Sequence, residues 1–140
     1  KLFSHSNMYI NIRVDLAMPT PGFSFVEQDI HGRFCPVIIL NPTIIPDDPN
    51  VIAHIMGHEW GHHALRHIER VSDIEGQDRR QTKENEADAY AAKFIKTYDY
   101  DVEVVSRFLK EHSLDIENRI QILTETLPDE CAPGNSSLLV

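Results

Sequence analysis

The stretch AHIMGHEWGHHALRH, residues 53–67, constrains the fold of this chain more than any other segment. It carries five histidines in fifteen residues, and their spacing acquires meaning on a helix. At 3.6 residues per turn, His58 and His62 share one face about one turn apart, so two imidazoles can reach a common point. Glu59 follows the first of them, which completes H-E-x-x-H, a pattern in which two histidines bind zinc and the carboxylate serves as general base. Zinc lowers the pKa of its bound water toward about 7, and a carboxylate beside that water takes its proton as it attacks a carbonyl. His54/His58 and His63/His67 are also four apart, but neither pair has a Glu after its first member. His54, His63 and His67 are therefore expected to face solvent or to stand behind the ligands.

Chance alone produces H-E-x-x-H in about 3 of 100 chains of this composition, so the motif needs support. It comes from ENEADAY, residues 84–90. Catalytic zinc takes three protein ligands and keeps one position open, and two His with one Glu is a recurring set. Glu84 and Asp88 are four apart and share a helix face. Glu84 is the expected third ligand, and Asp88 is expected to accept a hydrogen bond from the far nitrogen of a ligating histidine. Glu86 points about 200° from Glu84 and is expected in solvent. Ala87 and Ala91 are small and would let this helix pack closely on the first.

Around these motifs the pattern is strands first, helices after. Met8 to Leu16 alternates apolar and polar residues, the period of a half-buried strand. PTPG at 19–22 reads as a turn, FSFVEQ from Phe23 as a second strand, HGR as a hairpin bend, and FCPVIIL at 34–40 as a third strand. Pro36 cannot donate to a ladder, which predicts an edge position for that strand. Asp48 and Pro49 are a good N-cap and first helical residue, so a helix is expected from Val51 to about Arg70. Residues 71–81 read as a surface loop. Thr82, Asp101 and Asp115 are expected to cap three further helices. The fold class is therefore α+β: a small three-stranded sheet packed on three to four helices. A single domain over residues 1–127 is expected, with a loosely ordered tail over 128–140.

H-E-x-G-H followed by E-x-x-A-D, here HEWGH and ENEAD, resembles the gluzincin metallopeptidases. The nearest kin are the soluble catalytic domains of the CAAX-prenyl-protease and heat-shock membrane-protease group, and the minigluzincins. The resemblance spans roughly residues 20–125. It implies a zincin-like fold, one zinc per chain held by His58, His62 and Glu84, Glu59 as base, Asp88 behind a ligand, and an endopeptidase acting on a peptide or protein. It also implies a cleft-lining strand just before the active-site helix, the place of FCPVIIL, where extended substrate adds by main-chain pairing. Relatives carry a His-Pro followed by R-I; this chain has EHSLDIENRIQIL instead, so His112, Arg119 and, independently, Tyr90 are the candidates for stabilising an oxyanion.

Two other readings stand beside this one: a repressor-cleaving regulatory peptidase, which shares H-E-x-x-H and a downstream E-x-x-A, and a non-catalytic zinc-binding module. A net charge of −9 argues against nucleic acid as a partner. No apolar run approaches the roughly 20 residues of a spanning helix. The start KLFSHSN, without Met or an apolar leader, fits a mature, trimmed or excised chain, secreted or intracellular. Cys35 and Cys131 are the only cysteines. They lack C-x-x-C spacing, and free thiols and one disulfide both stay open, as does the oligomeric state. A latent form, with the tail carrying Cys131 or a carboxylate into the open zinc position, is a further alternative.

Overall fold

The structure, a computed structural model, describes residues 9–68 and 76–129. It is α+β, with strands β1 (Asn11–Val14), β2 (Gly22–Gln28) and β3 (Phe34–Leu40) followed by helices α1 (Pro49–Ala64), α2 (Gln77–Thr97), α3 (Val102–His112) and α4 (Ile116–Glu125). The sheet order is β1-β3-β2, with β1 parallel and β2 antiparallel to β3. None of the described helices is long and apolar enough to cross a membrane. The expectations for the tail beyond residue 129 and for Cys131 lie outside the described residues.

The sheet differs from the sequence reading in two respects. FCPVIIL is the central strand, not an edge. Pro36 is tolerated there because β1 pairs only from Val37 onward, so the flank of β3 opposite β2 carries no strand beside Pro36 among the described residues. The true edges are β1 and β2. The alternation from Met8 to Leu16 also yields a shorter strand than expected, with all four residues of β1 exposed. Helix α1 lies against β2 and β3, where Ser24, Val26, Val37 and Ile38 are buried, while Ile12 and Val14 are exposed.

Asp48 caps α1 by accepting from the Asn50 N–H, with Pro49 in the first turn. The helix stops at Ala64, six residues short of the expected end. Arg66 adopts φ 58°, and the chain folds back with His67 N–H to His62 O at 2.9 Å and Arg66 N–H to His63 O at 3.1 Å. That is the bonding of a Schellman stop, normally marked by glycine at the position Arg66 holds. At the other end of the connection, α2 starts at Gln77 rather than at Thr82. Residues 77–81 are helical, and Thr82 bonds back to the Asp78 carbonyl from inside the helix. Asp101 caps α3 through Glu103 and Val104 as expected, whereas Asp115 stands at the N-cap of α4 without capping it by its side chain.

Helices α1 and α2 meet closely because small residues face each other. Ala87 and Ala91 are fully buried, and a methyl added at Gly57 would come within 3.1 Å of the Ala91 Cα. Ala53, Ala92, Ile95, Val105, Leu109 and Leu123 form the core that ties α3 and α4 to this pair. Burying such side chains contributes about 1.5–3 kcal/mol for each large one. The consequence for function is positional: the charged turn of α2 is held against the histidines of α1.

Candidate metal centre

Three side chains from these two helices converge. His58 Nε2 and His62 Nε2 are 3.2 Å apart; Glu84 Oε1 is 3.2 Å from the first and Glu84 Oε2 is 3.0 Å from the second. This trio is a group that could hold a metal ion. The donor set fits one: bonds of about 2.0–2.2 Å at tetrahedral angles place neighbouring donors about 3.3 Å apart or slightly more. The two imidazoles are nearly buried, with 11% and 10% of their side-chain surface exposed, while Glu84 keeps 54%. The group is therefore set into the protein on the α1 side and open toward solvent on the α2 side.

Each imidazole is backed at its other nitrogen. Asp88 Oδ1 lies 2.8 Å from His58 Nδ1, the contact expected for it. Arg119 then grips Asp88 with two parallel hydrogen bonds of 2.8 Å, Nε to Oδ2 and Nη2 to Oδ1, and donates from Nη1 to Ser113 Oγ at 3.0 Å. On the other side, His62 Nδ1 is 3.0 Å from His67 Nδ1, and His67 Nε2 is 2.8 Å from Glu86 Oε1. Glu86 is more than half exposed, as expected, yet it also holds His67.

The electrostatics follow from this crowding. Burial opposes a charge on His58, but hydrogen bonds with Asp88 and Glu84 outweigh it and raise the imidazole to about 10. Burial would raise the carboxyls of Glu84 and Asp88. Hydrogen-bond contacts with His58 and His62 in one case, and with His58 and Arg119 in the other, instead hold both below the usual carboxylate range.

Glu59 is buried at the wall shared by two clefts, of about 350 Å³ and 500 Å³, that open beside the trio. The Ser24 hydroxyl donates to Glu59 Oε1 at 2.6 Å and also lies 3.0 Å from the Glu59 carbonyl oxygen. Gly22 completes the seat: a methyl there would come within 2.9 Å of Glu59 Cγ, so the start of β2 can approach only as bare backbone. Neither Ser24 nor Gly22 carries a signature in the sequence, because an isolated Ser in a strand reads only as a strand residue.

The oxyanion candidates fare differently. Arg119 lines the first cleft, with its guanidinium engaged by Asp88 and Ser113. His112 has 57% of its side chain exposed, its ring 4.7 Å from that of Phe108, and lines neither cleft. Tyr90 packs against Gly61 and also lines neither; burial pushes its phenol up to about 12. The three extra histidines do not face solvent: His54 and His63 lie on α1, which is enclosed by the sheet, α2 and α3, and His67 is buried in the turn that follows it. His63 bonds the Val37 carbonyl at 3.0 Å. His54 is buried one turn before His58, without a hydrogen-bond partner among the described residues, and burial lowers it to about 3. His67 backs His62.

No family model matches the chain, and neither a curated protein nor a solved structure matches it.

Proposed function

We propose that this chain is a zinc-dependent endopeptidase of the gluzincin type. The observation that carries the reading is the meeting of His58 Nε2, His62 Nε2 and the Glu84 carboxylate within bonding reach of one ion, with the Glu59 carboxylate beside them. His58, His62 and Glu84 would hold the zinc, and the ion supplies Lewis acidity toward water and a peptide carbonyl. Glu59 accepts the proton of the attacking water and passes it to the leaving amine. Ser24 keeps the carboxylate of Glu59 from turning, and Asp88 holds the His58 ring with Nε2 toward the ligand group. An extended peptide adds to the outer edge of β2, which replaces β3 in that role. Gly22, Phe23 and Ser24 of β2 line the cleft together with Glu59, and its edge opposite β3 is unpaired among the described residues.

The test is metal content and hydrolysis measured on the same preparations. The purified chain should carry about one zinc and cleave unstructured polypeptides. Glu59→Gln should keep the zinc and lose at least about 10²–10⁴-fold in rate. Hydrolysis persisting in that variant removes Glu59 from the role of base. A zinc-loaded chain that cleaves nothing, with a fourth protein ligand on the metal, would make the site structural.

A further inference from the structure

His62 has a partner that its own motif does not announce, and the protons along that contact can be assigned. We infer that His67 and Glu86 are positioning residues that set the tautomer of His62 and thereby its affinity for a metal. The inference rests on the metal-site reading above.

A neutral imidazole that turns Nε2 to a metal must carry its hydrogen on Nδ1. In His62 that nitrogen lies 3.0 Å from His67 Nδ1. A contact of this length between two ring nitrogens needs one donor and one acceptor, so His67 Nδ1 accepts and the hydrogen of His67 sits on Nε2. There it meets Glu86 Oε1, a carboxylate oxygen that accepts, at 2.8 Å. The assignment is the same from both ends. Glu86 draws a hydrogen to His67 Nε2, His67 Nδ1 is left bare, and His62 is left donating from Nδ1, with Nε2 turned toward His58 Nε2 and Glu84 Oε2.

The backbone is built to hold this contact. Arg66 takes the left-handed conformation that turns His67 back, His67 N–H bonds His62 O, and Lys83 Nζ donates to the His67 carbonyl at 2.5 Å. Only 5% of the His67 side chain is exposed. A non-glycine residue at positive φ costs about 1–2 kcal/mol, and what that conformation delivers is an imidazole placed behind a ligand. Lys83, Glu84 and Glu86 come from one turn of α2, so the same turn supplies a ligand to the metal and the far end of this chain of hydrogen bonds.

The test uses the full chain, with zinc as the probe. Zinc dissociation constants are read by competition with a chromophoric chelator, and ¹⁵N spectra of the imidazoles report which nitrogen bears hydrogen, with and without zinc. His62 should carry its hydrogen on Nδ1 in both states. His67→Phe, which keeps the ring but cannot accept, should weaken zinc binding about 10–100-fold. Glu86→Leu at the surface should reproduce the direction of that loss without threatening the fold, and Glu86→Gln, which keeps an acceptor oxygen, should stay within about fivefold. His62 bearing its hydrogen on Nε2 in the zinc-free protein overturns the inference. So does zinc affinity unchanged in both His67→Phe and Glu86→Leu. A wild-type chain that takes up no zinc while His62 still holds hydrogen on Nδ1 sinks the metal reading itself.

Discussion

The two imidazoles of the candidate centre are held in different ways. His58 is backed by a carboxylate that is 6% exposed and is itself locked by a bidentate guanidinium from α4. His62 is backed by another imidazole, carried on a chain reversal rather than on a helix, and the carboxylate behind it is 55% exposed. The first arrangement is an ion pair in the interior; the second is a hydrogen-bond chain through two imidazoles that ends on a carboxylate in solvent. Buried ion pairs are costly to break because one partner is left charged and alone, whereas an exposed carboxylate contributes at most about 1 kcal/mol. The same task, presenting Nε2 to the point where the candidate ligands meet, is thus coupled strongly to folding on one side and weakly on the other.

The largest expected effect tests the strong side. Asp88→Ala should destabilise the chelator-treated protein by about 3 kcal/mol, the low end for a broken buried pair because Arg119 keeps some contact with water. The measurement is urea unfolding. Adding Arg119→Met to that variant should recover part of the loss, since no unpaired cation then remains inside. His67→Phe should cost much less in the same assay while still weakening zinc binding. Equal destabilisation by Asp88→Ala and His67→Phe would erase the distinction drawn between the two sides.

What could be read from the sequence follows the same divide. The spacing of His58 and His62 and of Glu84 and Asp88 is helical geometry written directly in residue numbers, and the structure brings all four together. Asp48 and Asp101 are legible caps because the local side-chain bond that stops the chain is the signal itself. The strand order is not local: Pro36 excludes one hydrogen bond, but which strands flank β3 depends on where α1 lies across the sheet. Nor does any glycine mark the end of α1: a place for His67 behind a ligand is one of two expectations, but the turn that returns it to His62 has no local signal. Ser24 meets Glu59 across 35 positions of sequence, a distance over which no pattern operates.

A smaller effect appears in the response to pH. His54 lies on the His58 side, and burial lowers it from 6.5 to about 3. Below 6.5 the unfolded chain takes up a proton that the folded chain refuses, so its contribution to stability is present above that pH and lost as pH falls toward 3. The slope is limited to about 1.4 kcal/mol per pH unit for one group. His58 has the opposite sign: raised to about 10, it stabilises the metal-free protein fully below 6.5 and loses that contribution as pH climbs through 10. Urea midpoints of chelator-treated protein should therefore fall on both sides of neutrality. His54→Leu should flatten the acid limb more than His67→Phe does, because His54 is the more deeply buried and the more strongly shifted. A greater flattening by His67→Phe would place the pH sensitivity on the wrong imidazole.

The smallest effect concerns the reversal that carries His67. Arg66 sits at φ 58°, where a side chain costs about 1–2 kcal/mol. Glycine removes that cost but adds about 0.5–1 kcal/mol of backbone entropy to the unfolded state. Arg66→Gly should thus be neutral or stabilising by up to about 1.5 kcal/mol, read by urea unfolding. Its value lies in what it leaves alone: the bonds from His67 N–H to His62 O and from Lys83 to the His67 carbonyl involve no atom of the Arg66 side chain. Zinc affinity should then be unchanged, because the imidazole stays where the backbone puts it. Weakened binding in Arg66→Gly without any loss of stability would mean that the arginine's own charge, rather than the turn it occupies, keeps the His62 side in order.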